Sequence, residues 1–258
     1  MSGRAGTRRL GEMTTVEAAA AVVDSPVVLL PAGAFEQHGP GLPLATDLIR
    51  AEAVCDRVAD ALGGTAVVGP SLPVGVSPHH LAFAGTVSLT TTTFATLVRE
   101  YVDGLYRHGW RRICVVTGHG GNDATLATVA QDLLAARPDL QFAWSPLTPL
   151  AAEVVAAAGP PEVSGHSGQA ETAQMLAVAP HLVHTDRLEA GTTRTAELDA
   201  FGALARRRGG PSLTAAYDRL SGNGVLGDPR RADAEHGEAI VAAIVERITD
   251  FVTAWLKA

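Results

Sequence analysis

The feature that most constrains this chain is a regular alternation of short β-branched runs with longer amphipathic runs. Val27–Leu30 has the pattern of a buried strand and ends in Pro31-Ala32-Gly33. Thr46 and Asp47 offer caps for a helix reaching about Ala61, and Gly63-Gly64 stops it. Thr65–Val68 is the next strand, and Thr90–Thr93 opens a helix that runs to about His108. Arg112–Thr117 is a third strand. After a glycine-rich turn a helix extends to about Ala136, and Leu140–Trp144 is a fourth strand. This β-α-β-α order predicts a parallel sheet with helices on both faces.

The second half is mostly helical, with a run from Gln169 to about Ala179 and a last helix over about Asp233–Leu256. In that last helix Ile240, Ile244, Ile248, Phe251 and Trp255 form one apolar stripe, which predicts core packing. No internal repeat and no linker breaks the 258 residues. One domain over residues 1–258, with about 1–13 as a flexible tail, is the simplest organisation.

Charge and cysteine usage remove whole classes of function. Lys plus Arg is 20 against 27 for Asp plus Glu, a net charge of −7. A general nucleic-acid binder needs a basic face, so nucleic acid is not the expected partner. Cys55 and Cys114 stand far apart in no metal spacing, which excludes a disulfide scaffold and a zinc ribbon and points to a reducing cytoplasm. No apolar run reaches the roughly 18 residues of a membrane span. Arg4, Arg8 and Arg9 precede the apolar run Ala18–Val23, but Glu17 and Asp24 bracket it. The run is shorter than the ~7–15 residues of a secretory leader's apolar region. The basic run Arg206-Arg207-Arg208 reads as solvated surface.

Four segments concentrate the chemistry. In the first, Glu36 and His38 are two residues apart, so an extended chain turns both to one side, and Asp47 follows at a helix start. Such donors hold a divalent metal; equally, Asp47 can be a helix cap, with Glu36 on the surface and His38 in a polar contact. The second, Thr117-Gly118-His119-Gly120-Gly121-Asn122, lies where a strand hands over to a helix, at the sheet edge where ligands gather. Two readings stay open there: His119 ligates a metal, or the helix start cradles a phosphate. In the third, His166 precedes Glu171, which falls in the first turn of a helix where Ser167 is a candidate cap. The fourth carries adjacent His79 and His80, which face different ways and line the site as a loop. Taken together, Glu36, His38, Asp47, His119 and Glu171 are the inventory of a two-metal hydrolytic site with one bridging carboxylate.

At these residues the sequence resembles the creatininase family of amidohydrolases. The resemblance runs through EQHGPGLPLATD (Glu36–Asp47), SPHHLAFAGTVSL (Ser77–Leu89), TGHGGN (Thr117–Asn122), GHSGQAET (Gly165–Thr172) and GVLGDP (Gly224–Pro229). It implies a three-layer α/β/α sandwich and two divalent ions per chain, Zn, Mn or Fe. It also implies hydrolysis of a non-aromatic C–N amide bond by a metal-bridging water. A homo-oligomer, often a hexamer, is expected too. By motif position the ligands fall on Glu36, His38, Asp47, His119 and Glu171, and the proton-transfer histidine on His166. If His166 is instead the fifth ligand, Glu171 takes over the proton transfer.

The departures from the family pattern are specific. Many relatives carry His where this chain has Gly41. Creatininases proper place a metal-binding Glu where this chain has Gly121, and a Trp shortly before the histidine matched by His166, where this chain has none. These differences argue against creatinine as substrate. The GHGGN form is shared with branches that open formamide-type bonds and with the mycofactocin-maturation peptidase, which trims a C-terminal dipeptide; GVLGDP leans toward the latter. The expected substrate is thus a small-molecule or short-peptide amide. The competing reading from another class is a non-catalytic small-molecule or phosphate-binding module.

Overall fold

The computed structural model describes residues 8–207 and 209–258. In chain order the elements are α1 (Thr15–Asp24), β1 (Val27–Ala32), α2 (Thr46–Ala61), β2 (Ala66–Val68), α3 (Thr91–Arg107), β3 (Arg112–Thr117) and α4 (Asp123–Ala136). Then come β4 (Gln141–Pro146), α5 (Ala152–Ala157), α6 (Gln169–Val178), α7 (Ala200–Ala205) and α8 (Ala234–Trp255). The strands pair in the order β2-β1-β3-β4, every pair parallel.

Strand alternation divides the core into two layers. Val28, Leu30, Ile113 and Val115 face one way, onto Phe94, Val98 and Val102 of α3 and Leu126 and Val129 of α4. Val27, Leu29, Cys114 and Val116 face the other way, onto Val54 and Val58 of α2 and Ile240, Ile244 and Ile248 of α8. Both faces of the sheet are covered, which is why these strands read as unbroken apolar runs. The result is the expected α/β/α arrangement.

The structure refines local expectations in four places. Of the tail expected over residues 1–13, residues 1–7 lie outside the described residues. From residue 8 onward the segment is anchored: Arg9 bridges to Val68 and pairs with Asp56, and Leu10 and Met13 pack on the core. The run behind it is helix α1, closed by a capping box between Thr14 and Glu17. Thr46 and Asp47 do not cap α2; its N-cap is Ala45, with no side-chain bond. In α8, Phe251 is exposed and Val252 takes the buried place, because Phe251 lies at the margin of the stripe, in a small cleft with Trp144 of the edge strand. Arg208 of the basic run lies outside the described residues, while Arg206 donates to the Ser164 carbonyl at 2.6 Å. Among the described residues no helix is long and apolar enough to cross a membrane.

Candidate metal centre

The strand order creates one crevice at the carboxyl edge of the sheet. The chain leaves β1 for β2 on one side and crosses back to β3 on the other, so the loops after β1 and β3 part company. Such switch points are where open α/β sheets bind ligands. The loop after β1 delivers Glu36 and His38, the first turn of α2 delivers Asp47, and the loop after β3 delivers His119. Gly118 permits the approach of α2, since a Cβ there would stand 2.1 Å from the Asp47 carbonyl oxygen. His166 and the first-turn Glu171 of α6 close the ring.

All six residues come together. The two oxygens of Asp47 part between two imidazoles, Oδ1 at 3.4 Å from His38 Nε2 and Oδ2 at 3.4 Å from His119 Nδ1. Glu36 Oε1 lies 3.3 Å from His119 Nδ1 and 3.7 Å from His166 Nδ1. Glu171 Oε2 lies 3.8 Å from His38 Nε2. Glu36, His38, Asp47, His119 and His166 are buried, and Glu171 is nearly so.

The donor set fits divalent ions on its own chemistry. Both Glu36 oxygens, Asp47 Oδ2 and His38 Nε2 are buried with no hydrogen-bond partner. Buried polar atoms are rarely left so. His38 Nδ1 lies 3.2 Å from the Glu36 carbonyl and His119 Nε2 lies 3.0 Å from the Val76 carbonyl. A carbonyl accepts only from N–H, so whenever either ring is neutral its other nitrogen turns a lone pair into the cluster. Backbone-anchored imidazoles of this kind are how proteins present ligands to a metal. Glu36, His38 and Asp47 offer donor atoms within 4.8 Å of one another, as do His38, His166 and Glu171.

Charge is distributed unevenly over the cluster. Burial opposes protonation of His38, but Asp47, Glu171 and Glu36 outweigh it and lift its pKa to about 9. His119 is raised against the same burial by Asp47 and Glu36. Burial pushes Asp47 up, yet His38, His119 and Arg50 hold it well below the usual carboxylate range. His166 goes the other way: burial, then the His38 charge, lower it to about 4. Asp47 is therefore ionised and the His166 ring is neutral.

Two bland roles expected for these residues do not hold. Asp47 is not a cap, as noted above. Nor does Ser167 cap α6: it sits at φ 52°, its hydroxyl donates to the His38 carbonyl at 2.6 Å, and its N–H donates to Glu171 Oε2 at 2.6 Å. At Gly121 a Cβ would stand 2.3 Å from His119 Nε2 and 2.4 Å from the Val76 carbonyl, so a side chain there would displace the His119 ring. At Gly41, Leu188 fills the space a side chain would need, with its Cδ2 2.5 Å from a Cβ placed there.

Three further residues at the centre are not ones the sequence pattern singles out. Arg50, 1% exposed, donates through Nη2 to Asp47 Oδ1 at 2.6 Å and Glu171 Oε1 at 2.9 Å. Its one signal is a charge on the buried stripe of α2, three residues after Asp47. Gln37 bonds His80 Nδ1 at 2.8 Å through its side chain, and its carbonyl lies 2.8 Å from His166 Nε2. Tyr217 packs on the His80 ring at 4.2 Å. His80 itself, buried, reaches 3.4 Å from Glu36 Oε1, while the His79 ring stacks on His119. A cavity of about 460 Å³ opens from His166 and Glu171 between apolar walls that include Leu147, Pro149, Val155 and Pro160.

Comparison with known proteins agrees with this picture. The creatininase family profile, described as creatinine amidohydrolase, matches residues 11–252. The chain is 37% identical over 236 residues to a mycofactocin precursor peptide peptidase of Mycolicibacterium smegmatis, covering 89% of this chain and 85% of the relative. It is 30% identical over 266 residues to a creatinine amidohydrolase of Pseudomonas putida, covering 94% and 95% of the two chains. A creatininase structure with Mn superposes with a TM-score of 0.79 at 29% identity, covering 96% of this chain and 98% of the other. A variant creatininase of Zn–Zn type gives 0.80 at 28% identity, with the same coverage. Fold, site and relatives together define a hydrolase of the amide-cleaving class. The chain belongs to the creatininase family.

Proposed function

We propose that this amidohydrolase is metal-dependent and trims an amide bond near the C-terminus of a short peptide. Glu36, His38, Asp47, His119 and Glu171 would hold two divalent ions, Zn, Mn or Fe. The observation that carries this reading is Asp47, buried and ionised, with one oxygen toward each of two imidazoles whose far nitrogens are anchored on backbone carbonyls. Such ions supply Lewis acidity to polarise an amide carbonyl and to make water a nucleophile at neutral pH.

The chain's own residues do the rest. His166 is fixed by Nε2–H donating to the Gln37 carbonyl at 2.8 Å, so its neutral Nδ1 faces the cluster as a proton acceptor. It takes a proton from the attacking water and returns it to the leaving nitrogen. Glu171, at the mouth of the cavity, is the alternative proton carrier if His166 ligates. Desolvation around the buried Glu36 and His38 strengthens every charge interaction at the reacting bond.

The cavity supports the peptide over a small ring. Its volume of about 460 Å³ is that of a site for a drug-sized ligand, and its aliphatic and proline walls suit side chains of a peptide tail. Two carboxylates, Glu36 and Asp47, face His119 in the turn after β3, which makes that helix start a poor phosphate cradle. The test is mass spectrometry of a synthetic peptide with an apolar C-terminal dipeptide, incubated with protein loaded with Zn, Mn or Fe(II). Release of the dipeptide, abolished by chelator, is expected; turnover of creatinine with the peptide left intact would overturn the peptide reading. The buried free thiols of Cys55 and Cys114 suit a cytoplasmic setting. A homo-oligomer, up to a hexamer, is the assembly we expect light scattering to find.

A further inference from the structure

We infer that Arg50 is a built-in counter-cation of the metal centre, a positioning residue that weakens the ion on the His38–Glu171 side relative to the ion on the His119 side. The inference rests on the two-ion site proposed above. A guanidinium at 1% exposure is costly to bury unless its charge is met, and here it is met by two proposed ligands. Nη2 donates to Asp47 Oδ1 at 2.6 Å and to Glu171 Oε1 at 2.9 Å. The same Nη2 donates to the Gly118 carbonyl at 3.0 Å. From the far side, Nη1 reaches Thr148 Oγ1 at 3.3 Å and Gln174 Oε1 at 3.4 Å, so the head is held by four elements of the fold and cannot swing away.

The placement is one-sided. Asp47 Oδ1 is the oxygen that faces His38, and Glu171 is the carboxylate beside His38. The oxygen of Asp47 that faces His119, Oδ2, has no bond to Arg50 or to any other donor. Arg50 therefore bonds the carboxylate oxygens on the His38 side, Asp47 Oδ1 and Glu171 Oε1, and leaves Asp47 Oδ2 on the His119 side alone. Coulomb repulsion at this range is strong in a buried site, and it acts on the His38-side ion first. Arg50 is not needed to aim Glu171, whose Oε2 has its own anchor in the Ser167 N–H at 2.6 Å. Arg50 also spares the three clustered carboxylates from facing one another uncompensated when no ion is bound.

The test reads metal binding, not turnover. Chelator-stripped full-length protein is titrated with Mn(II) and with Zn(II) against a chromophoric chelator, and bound ions are counted by elemental analysis. Wild type should bind two ions with affinities at least about tenfold apart, and His38→Ala should lose the weaker one. Arg50→Met should tighten the weaker ion by about tenfold or more and lower the melting temperature of the metal-free protein, with the loaded protein little changed. Arg50→Lys, which keeps the charge, should keep the unequal affinities. Loss of the weaker ion in Arg50→Met, an unchanged affinity, or two equal ions in wild type would overturn the inference. If metal-free Arg50→Met does not fold, release of ions from the loaded variant to excess chelator is timed instead. Slower release supports the inference, and equal or faster release overturns it. A wild type that binds no ion at all defeats the proposed metal-dependent function, a result distinct from any of these.

Discussion

Asp47 stands in the first turn of α2, where the helix dipole favours a carboxylate, yet neither of its side-chain oxygens bonds the helix backbone. One turns to His38 and the other to His119, so its loss should empty both positions while loss of His38 empties one. Elemental analysis is expected to find close to no bound ion in Asp47→Ala and about half the wild-type content in His38→Ala. Equal loss in the two variants would mean that Asp47 serves only the helix. His166 makes a different case. Its Nε2 is tied to a backbone carbonyl and its pKa is lowered to about 4, which suits a neutral acid/base group. His166→Ala should keep its ions and lose about 10²–10⁴-fold in kcat, the usual contribution of a positioned proton-transfer group. If that variant instead loses an ion, His166 is a ligand and Glu171 carries the proton. At this scale the sequence was legible where chemistry is local: Glu36 and His38 share a strand-like face, and the motif order placed the others. Arg50 was not legible, because its partner Glu171 is 121 positions away in sequence.

Helices and strands meet the site through close backbone contacts, and glycines mark where those contacts are tight. Gly237 of α8 lies against α6: a Cβ there would stand 1.8 Å from the Ala173 carbonyl oxygen, one residue before the Gln174 that holds Arg50. Gly104, inside α3, has nothing within 4 Å of the same position. The same substitution should therefore have opposite signs. Gly104→Ala is expected to stabilise by about 0.5–1 kcal/mol through the backbone term alone. Gly237→Ala must push α6 outward and should destabilise by about 1–3 kcal/mol despite its better helix propensity. Urea unfolding of the two variants checks both signs; stabilisation by Gly237→Ala would show that α6 is free to move. The strands were the most legible elements. Arg112–Thr117 is β3 to the residue, since a strand buried on both faces is a bounded apolar run. The anchored segment from Arg8 was not, because the contacts of Arg9 with β2 and α2 are tertiary and leave no period in the sequence.

On the scale of the whole molecule, two apolar layers lock the sheet while one edge collects Glu36, Asp47 and Glu171 into a buried pocket. Such convergence of like charge opposes folding unless it is answered. His38, His119 and Arg50 answer it from within the chain, which is why Asp47 and Glu171 stay ionised although burial pushes both upward. The orphaned Glu36 oxygens and Asp47 Oδ2 show that the answer is incomplete. Bound divalent ions should complete it, and ions that bind the folded chain alone stabilise it by mass action. At a free ion concentration one hundred times Kd that gain is about 2.7 kcal/mol for each ion bound. For a chain of this size each kcal/mol moves the melting temperature by roughly 2–4 °C, so each ion loaded should raise Tm by about 5–10 °C over the chelated protein. Calorimetry of chelated and Mn- or Zn-loaded samples at one protein concentration measures this directly. Because Asp47 faces both histidines, Asp47→Ala should abolish the rise, and His38→Ala should keep part of it. A rise of full size in Asp47→Ala would place the stabilising ions somewhere other than this crevice.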